Sequence, residues 1–147
     1  MSAAEPGPVL PDTSVFVSAV KHPDRETRTY RLIVWLLERE DIRLVGNDLL
    51  ALEYLRYAEV FPSPTATALA SAILQGMEIV RVEEPFLLAC APYFRLGNVS
   101  DCVHAATCLQ TGATLVSNDR HFEPIRKAGV VRVLTVTEAV QRWAHGA

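Results

Sequence analysis

Residues 98–122, NVSDCVHAATCLQTGATLVSNDRHF, decide the fold of this 147-residue chain because they place a helix, a strand and two carboxylates in close succession. Ser100 is a good helix N-cap, and small and apolar side chains follow it on nearly every side of the predicted helix. Gly112 ends that helix, and residues 113–116 form a short apolar strand. The pattern therefore predicts a buried helix followed by a buried strand.

Asp101 and Asp119 lie at the ends of these two elements, where a packed domain has little structural use for them. In a parallel α/β sheet, helices begin and strands end at the same carboxyl edge, and open sheets bind their ligands there. Two carboxylates held close together in a partly buried site repel each other unless a cation lies between them. The stretch therefore indicates a metal site at this edge.

Strands and helices alternate along the rest of the chain. The first strand, residues 9–12, contains Pro11, which has no N–H to donate and must therefore take one of the last positions. Further helices are predicted at residues 13–20, 25–40, 47–60, 64–76 and 85–94 and after Thr137, and further strands at 43–46, 79–82 and 130–134. The alternation predicts an α/β fold, a three-layer α/β/α sandwich around a mostly parallel sheet of four or five strands.

The composition indicates a single domain spanning residues 1–147, since no repeat, linker or low-complexity segment divides the chain. Residues 1–7 are small and polar, and we expect them to form a loose N-terminal arm. The three cysteines, Cys90, Cys102 and Cys108, lack CxxC spacing and stand in apolar surroundings. Such cysteines are typical of reduced core thiols, so we expect a cytoplasmic protein.

Charge and hydropathy narrow the possible classes. The sequence has no apolar stretch of membrane-spanning length and no signal-peptide pattern, so we expect no membrane contact. A net charge of −3 argues against a protein that coats nucleic acid through bulk charge, but nucleic acid remains open as a substrate. The basic residues Lys21, Arg25, Arg28 and Arg31 either guide a phosphate backbone or form a solvated helix face.

Two more acids are predicted at the same edge of the sheet. Asp12 ends the first strand, where it either serves as an ordinary helix N-cap or joins the metal site. Glu53 interrupts the apolar stripe of its helix and needs a partner, which is either an arginine such as Arg56, a hydrogen-bonding neighbour or a metal ion. With Asp101 and Asp119 they form a set of hard oxygen ligands from four segments, which suits Mg²⁺ or Mn²⁺.

These residues resemble the motifs of a known family. PDTSVF at residues 11–16, Glu53 within LLALEYLR, and SDCVHAATCLQTGATLVSNDRHF at residues 100–122 are similar to the successive motifs of PIN domains, particularly the compact VapC-type toxins. The resemblance covers the chain from Val9 to about Thr137, and the last motif is the most specific part of it.

The resemblance implies which side chains form the site. Asp12, Glu53, Asp101 and Asp119 match the family's acidic quartet and would be both the catalytic residues and the ligands of Mg²⁺ or Mn²⁺. The residues expected to support these acids or to contact the substrate are Thr13, Ser117 and Asn118.

Other positions depart from the family's commonest pattern. Asn118 and His121 stand where charged residues are frequent, and Asn98-Val99 lacks the basic residue often found just before the third acid. His104 falls within the buried helix and is expected to be a satisfied core residue, whereas His121 is a candidate for contact with the substrate.

The family implies a cytoplasmic endoribonuclease that hydrolyses RNA phosphodiesters with Mg²⁺ or Mn²⁺. A VapC-like toxin would form a homodimer and bind a small antitoxin protein. The apolar residues of the helices at residues 25–40 and 64–76 either pack into the core or form surfaces for these contacts. Two alternatives stay open: a PIN nuclease that processes RNA, and a non-catalytic PIN-like module that binds RNA or protein.

Overall fold

The computed structural model of the chain describes residues 7–21 and 27–144, which form one five-stranded parallel sheet with helices around it. The strands are β1 (Pro8–Pro11), β2 (Arg43–Gly46), β3 (Met77–Ile79), β4 (Thr114–Val116) and β5 (Val133–Leu134). Their order across the sheet is β3-β2-β1-β4-β5, and every pairing is parallel. The predicted α/β fold around a parallel sheet is confirmed.

Helices connect consecutive strands. They are α1 (Thr13–Val20), α2 (Arg28–Glu38), α3 (Asp48–Val60), α4 (Pro64–Gly76), α5 (Glu84–Cys90), α6 (Val99–Thr111), α7 (Glu123–Lys127) and α8 (Val136–Trp143). Crossovers between parallel strands are right-handed, and with this strand order they assign α1 to α4 to one face of the sheet and α5 to α7 to the other. In agreement, α1 packs against α2, α3 and α4, and α5 packs against α6. The three predicted layers follow from this handedness.

The strand order reverses between β1 and β4. From β1 the chain proceeds through β2 to β3 on one side, then returns to β4 on the other side of β1 and continues to β5. Connections that diverge in this way leave a crevice at the carboxyl edge. Pro11 is the last residue of β1, as its missing N–H requires, and the Asp12 N–H donates to the Val116 carbonyl at 2.9 Å. Both strands therefore end beside the crevice.

The central strands are buried on both faces, as a parallel sheet with helices on each side requires. Val9, Leu10 and Leu115 have no exposed surface. Cys90, Cys102 and Cys108 are free and buried, as predicted. Helix α5, however, is less buried than predicted: Cys90 is buried, but Leu88 is 64% exposed.

Several element boundaries differ from the sequence interpretation. The strand predicted at residues 130–134 is limited to Val133–Leu134, and the helix predicted at residues 85–94 ends at Cys90, where a turn of 3₁₀-helix follows. Helix α6 begins at Val99, so Ser100 is not its N-cap, because a turn of 3₁₀-helix at Leu96–Asn98 leads directly into it. Strand β3 begins at Met77, two residues before the predicted strand at residues 79–82. The apolar residues continue beyond Ile79, the last residue of β3 that pairs with β2, so the strand was predicted too far along the chain.

At the C-terminal end, the N-cap of α8 is Thr135 rather than Thr137, because Thr135 forms a reciprocal capping box with Glu138. Gly112 ends α6 in the left-handed conformation, with φ of 74°, as predicted. The proposed N-terminal arm and the start of the helix predicted at residues 25–40 fall largely outside the described residues.

Candidate active site

The four acids predicted from the sequence line one cavity of about 520 Å³ at the carboxyl edge, beside the point where the strand order reverses. Asp12 follows β1, Glu53 lies in α3, Asp101 lies in the first turn of α6, and Asp119 follows β4. The other polar residues that line this cavity are Thr13, Ser14, Ser18, Lys21, Ser100 and Asn118. We call it the acidic cavity.

Asp12 is the most deeply buried of these acids, with 3% of its surface exposed. It occupies the N-cap position of α1, but its side chain makes no capping hydrogen bond. Instead the Ser117 hydroxyl donates to Asp12 Oδ2 at 2.8 Å. Among the described residues, no donor contacts Asp12 Oδ1. The carboxylate is therefore held from the end of β4, and its other oxygen is open to the cavity. Asp12 occupies the N-cap position that the sequence predicted, but its side chain does not act as a cap.

Ser117 joins the ends of β1 and β4. Its Oγ, while donating to Asp12, accepts a hydrogen bond from the Asp119 N–H at 3.0 Å. Asn118 is placed differently, because its side-chain Oδ1 accepts from the Val136 N–H at 3.1 Å and so faces the start of α8. Ser117 therefore positions two of the acids, whereas the Asn118 carbonyl oxygen is already engaged within the fold.

Glu53 is fixed from two sides. The Thr13 hydroxyl donates to Glu53 Oε2 at 2.5 Å, and His104 Nε2 lies 2.8 Å from Glu53 Oε1. Burial alone would raise the pKa of the Glu53 carboxyl, but the hydrogen bonds from His104, Thr13 and Ser100 outweigh burial and hold the pKa below its usual value. Arg56, the alternative partner predicted from the sequence, is not among these donors.

The protonation of His104 follows from its neighbours. Asn47 Oδ1 accepts from the Leu50 N–H at 2.9 Å, which identifies the other amide atom as Nδ2, a donor. That Nδ2 lies 3.0 Å from His104 Nδ1, so Nδ1 must be the acceptor and the ring proton must sit on Nε2, facing Glu53. His104 is thus a neutral, fully buried donor, in agreement with its predicted status as a satisfied core residue.

Sequence reasoning did not connect Asn47 and His104 to the site. Asn47 was correctly predicted as the N-cap of α3, and nothing in its spacing indicated that its second amide atom also reaches α6. One pattern could have identified His104: it follows Asp101 by three residues on a helix, so both side chains lie on the same face.

Tyr54 anchors α3 against β1 next to the acids. Its hydroxyl donates to the Pro11 carbonyl at 2.6 Å, and its ring packs edge-on against Phe16 with centroids 5.1 Å apart. Tyr54 is fully buried. Because Glu53 and Asp12 are the chain neighbours of these two bonded residues, this contact holds together the backbone segments that carry the two carboxylates.

Asp101 and Asp119 meet at His121. The His121 Nδ1 lies 2.8 Å from Asp101 Oδ2 and 3.2 Å from Asp119 Oδ1. Burial, reinforced by the charges of Asp12 and Asp119, raises the pKa of Asp101 above its usual value despite the hydrogen bond from His121. The hydrogen bond to Asp101 raises the pKa of His121 in turn. These acids therefore repel one another and draw in positive charge.

The donor set fits a hard divalent cation. Most of the polar groups that line the acidic cavity are carboxylates and hydroxyls, whose oxygens are the ligands that Mg²⁺ and Mn²⁺ prefer; Lys21 and Asn118 line it as well. His104 is close enough to be considered a ligand together with Asp12 and Glu53, but both of its ring nitrogens are engaged by Asn47 and Glu53. The structure brings the acids together in two groups whose ligand atoms lie within 4.8 Å of one another: Asp12 and Glu53 with His104, and Asp101 and Asp119 with His121. The carboxylates of these groups would hold such an ion.

An open parallel sheet with four acids in the cavity at its strand reversal defines an α/β protein with a candidate metal-dependent catalytic centre. A family model of the PIN domain matches residues 9–128, so the chain belongs to the PIN domain family. PIN domains are generally nucleases. None of the curated proteins compared with the sequence matches it.

Two solved structures share the fold. One is a chain of VapBC2 from Rickettsia felis, bound to a DNA fragment from its promoter, with a TM-score of 0.62 and 16% identity over 87% of this chain and 98% of that chain. The other is a chain of FitAB bound to an IR36 DNA fragment, with a TM-score of 0.52 and 19% identity over 87% and 94% of the two chains.

None of the described helices has the length and apolar character needed to cross a membrane.

Proposed function

We propose that this protein is a metal-dependent endoribonuclease that hydrolyses RNA phosphodiesters in the cytoplasm. The observation that carries the proposal is the convergence of Asp12, Glu53, Asp101 and Asp119, from four separate segments, on one cavity at the carboxyl edge. Membership of the PIN family supports a nuclease. The hard oxygen donors support Mg²⁺ or Mn²⁺ as the cofactor.

In this proposal the four carboxylates hold the metal. Thr13 and His104 keep Glu53 in place, and Ser117 keeps Asp12 in place, through the hydrogen bonds described above. Bound Mg²⁺ or Mn²⁺ supplies a hydroxide nucleophile at neutral pH and offsets negative charge on the phosphate. Asp12, fixed by Ser117 and open on its other oxygen, contributes a ligand without rearrangement. Preorganisation of this kind lowers the reorganisation needed during the reaction.

We further propose that the nuclease is the toxin of a toxin-antitoxin pair, as the VapC-like motifs and the likeness to a chain of VapBC2 suggest. Of the two candidate helices, α4 lines an apolar cavity through Leu74 together with Leu55 of α3. In α2, by contrast, Leu32, Ile33 and Leu36 are buried in the core. Exposed apolar residues lie instead on α3, where Leu52 is 61% and Leu55 is 51% exposed. Patches of this kind mark protein contacts, here with a second copy of the chain or an antitoxin.

Cleavage of a mixed RNA pool tests the proposed chemistry. We expect internal cuts with Mg²⁺ or Mn²⁺, no cuts with chelator, and a loss of at least about 100-fold in Asp12→Asn and Asp119→Asn, since each removes a metal ligand charge. Asp48→Asn is the matched control, because this acid lies in the first turn of α3 and does not line the cavity. Full activity in Asp12→Asn, or activity that survives chelation, would contradict the mechanism.

The remaining alternatives give different results. A non-catalytic PIN-like module would bind RNA or protein and leave the RNA pool intact with either metal. A PIN nuclease that processes RNA would cut the pool but would not arrest growth when expressed. A toxin would arrest growth, and co-expression of its antitoxin would relieve the arrest, whereas Asp119→Asn would be harmless without any antitoxin.

A further inference from the structure

A second cavity adjoins the acidic cavity and has a different chemical character. It has a volume of about 330 Å³, and its walls include Tyr93, Arg95, Asn98, Arg120 and His121. This volume falls within the range of roughly 300–1,000 Å³ typical of ligand sites. We call it the basic cavity.

The two cavities share a wall. His121 lines the basic cavity, and its ring nitrogen contacts Asp101 and Asp119, which line the acidic cavity. Arg120 follows Asp119 directly in the turn of 3₁₀-helix at Arg120–Phe122. A ligand lying in the basic cavity therefore extends to the acids without leaving the protein surface.

The charge of the basic cavity is not neutralised within the fold. Arg95 and Arg120 are both exposed, and within the described ranges neither forms an ion pair with a carboxylate. By contrast, Arg126 of the neighbouring helix α7 pairs with Glu138 at 2.6 Å. Two unpaired guanidinium groups beside a cluster of acids attract an anionic ligand, and phosphate is the anion that a guanidinium binds best in bidentate geometry.

The backbone fixes the orientation of these side chains. Phe94 and Arg95 both have extended backbone angles, so their side chains point in opposite directions. Phe94 packs edge-on against the fully buried Phe122, with ring centroids 5.8 Å apart. Arg95 is consequently directed outward, and Tyr93 remains half-buried at the cavity wall. The site is built on an anchored segment.

We propose that the basic cavity binds the nucleotide next to the scissile phosphate of single-stranded RNA, with Arg95 and Arg120 on its phosphates and Tyr93 stacked on its base. Aromatic side chains beside arginines are the usual means of holding unpaired bases and their backbone. This inference rests on the proposed nuclease function, since it assigns part of that enzyme's substrate site. It also explains how a chain of net charge −3 holds RNA next to four acids.

Binding measured in chelator tests the inference without cleavage. Fluorescence anisotropy with a labelled single-stranded RNA of mixed sequence is recorded at several salt concentrations for the full chain. In Arg95→Gln/Arg120→Gln we expect the salt dependence, the slope of log K against log salt, to fall in magnitude by about 1.4, since each phosphate contact on a single strand contributes about 0.7. Arg132→Gln, which removes an exposed arginine just before β5 at the opposite edge of the sheet, is the control and should leave the slope unchanged.

Tyr93 gives an independent readout. We expect Tyr93→Ala to weaken binding about 5- to 150-fold without changing the salt slope, because stacking is not electrostatic. Tyr93→Phe should bind like the original chain. Equal slopes in the double arginine variant and Arg132→Gln would overturn the proposal. So would equal binding of a polyglutamate chain that is equally sensitive to the arginine substitutions, since that would identify a general anion surface.

The same variants separate this inference from the proposed function. If the original chain cuts RNA with Mn²⁺ but the arginine and tyrosine variants bind RNA normally, the basic cavity is not the substrate site and the nuclease stands. If the chain binds RNA with the expected slopes but never cuts it, the nuclease fails and the RNA site stands. Folding of each variant is checked by its thermal unfolding midpoint.

Discussion

His104 positions Glu53 through a proton whose location the surrounding hydrogen bonds determine. The Asn47 amide donates to Nδ1, so Nε2 carries the proton and donates to Glu53. Partners behind a metal ligand commonly change metal affinity about 10- to 100-fold when they are removed. The effect of His104 should therefore appear in metal binding as well as in stability.

The variants His104→Gln and His104→Asn separate the two hydrogen bonds of His104, since each variant retains only one of them. Glutamine places a donor near the position of Nε2, whereas asparagine places an acceptor near Nδ1 and leaves Glu53 without its donor. We expect both variants to lose about 1–3 kcal/mol of unfolding free energy. Mn²⁺ affinity, measured by calorimetry, should fall about 10- to 100-fold in His104→Asn only. Equal Mn²⁺ affinities in the two variants would show that the role of His104 is structural alone.

Ser117 shows what could be predicted for single residues and what could not. Its hydroxyl was identified by resemblance, and its contact with Asp12 lies across 105 positions of sequence. The sequence left the partner of Glu53 open between an arginine, a hydrogen-bonding neighbour and a metal ion, because a one-dimensional pattern cannot show which helix faces α3. The structure identifies Thr13 and His104, which come from α1 and α6.

At the scale of elements, the position of α8 depends on a pair of opposite charges, Glu138 and Arg126. Glu138 completes the capping box at its N-terminus and accepts two hydrogen bonds from Arg126, at 2.9 and 2.6 Å. The hydrogen bonds from Arg126 are the main reason that the pKa of Glu138 is lowered from 4.5 to about 2. Since the folded-state pKa is below the unfolded value, this pair stabilises the protein above pH 4.5 and ceases to do so as the pH falls to about 2.

Arg126→Met should therefore destabilise the protein in a pH-dependent way. Both side chains are about one-third exposed, so we expect a loss of about 1 kcal/mol at pH 7, well below what the pKa shift alone would imply. The difference from the original chain should narrow between pH 4.5 and pH 3 in urea unfolding. Arg132→Met serves as the control and should show a small, pH-independent difference. A constant difference for Arg126→Met at all pH values would contradict the ion-pair explanation.

Element prediction succeeded where one strong residue determines a boundary. Gly112 ends α6, Asn47 caps α3, and Pro64 opens α4, each through local backbone chemistry. It failed where several residues could serve: Thr135 rather than Thr137 caps α8 because only Thr135 has Glu138 three residues later. The third strand was misplaced because its apolar run extends beyond the residues that pair with β2.

On the scale of the whole molecule, the acidic cavity is a source of instability in the absence of a cation. The raised pKa of Asp101, caused by burial and by the charges of Asp12 and Asp119, means that ionising this carboxyl opposes folding. Active sites commonly hold such unfavourable groups in exchange for function. Removing one charge should therefore make the chain more stable and less able to bind metal.

Thermal unfolding of Asp101→Asn tests whether removing this charge raises stability and weakens metal binding. In chelator we expect its midpoint to lie about 2–4 °C above that of the original chain, which corresponds to roughly 1 kcal/mol for a protein of this size. Mn²⁺ at 100 times its dissociation constant should stabilise the original chain by about 2.7 kcal/mol and Asp101→Asn far less. Asp48→Asn should follow the original chain in both conditions. An Asp101→Asn midpoint below the original in chelator would contradict mutual repulsion among the acids.

The overall architecture could be predicted because periodicity and handedness leave few arrangements of alternating strands and helices. The same logic placed all four acids at one edge, and the structure finds them in one cavity. The basic cavity could not be predicted, since Tyr93 and Arg95 lie in a turn that carries no repeating pattern. Arg95 lies near the acids because the neighbouring Phe94 packs against Phe122, a contact between segments that are distant in the sequence.

The acids that define the cavity are separated by as many as 107 positions, from Asp12 to Asp119, and the strands behind them pair out of chain order. A ribosome must therefore complete β4 before the last carboxylate can join the others. A growing polypeptide lacks the proposed cleavage centre throughout most of its synthesis. Under the proposed function, the messenger and ribosome that make the chain are therefore not exposed to its activity until the fold closes.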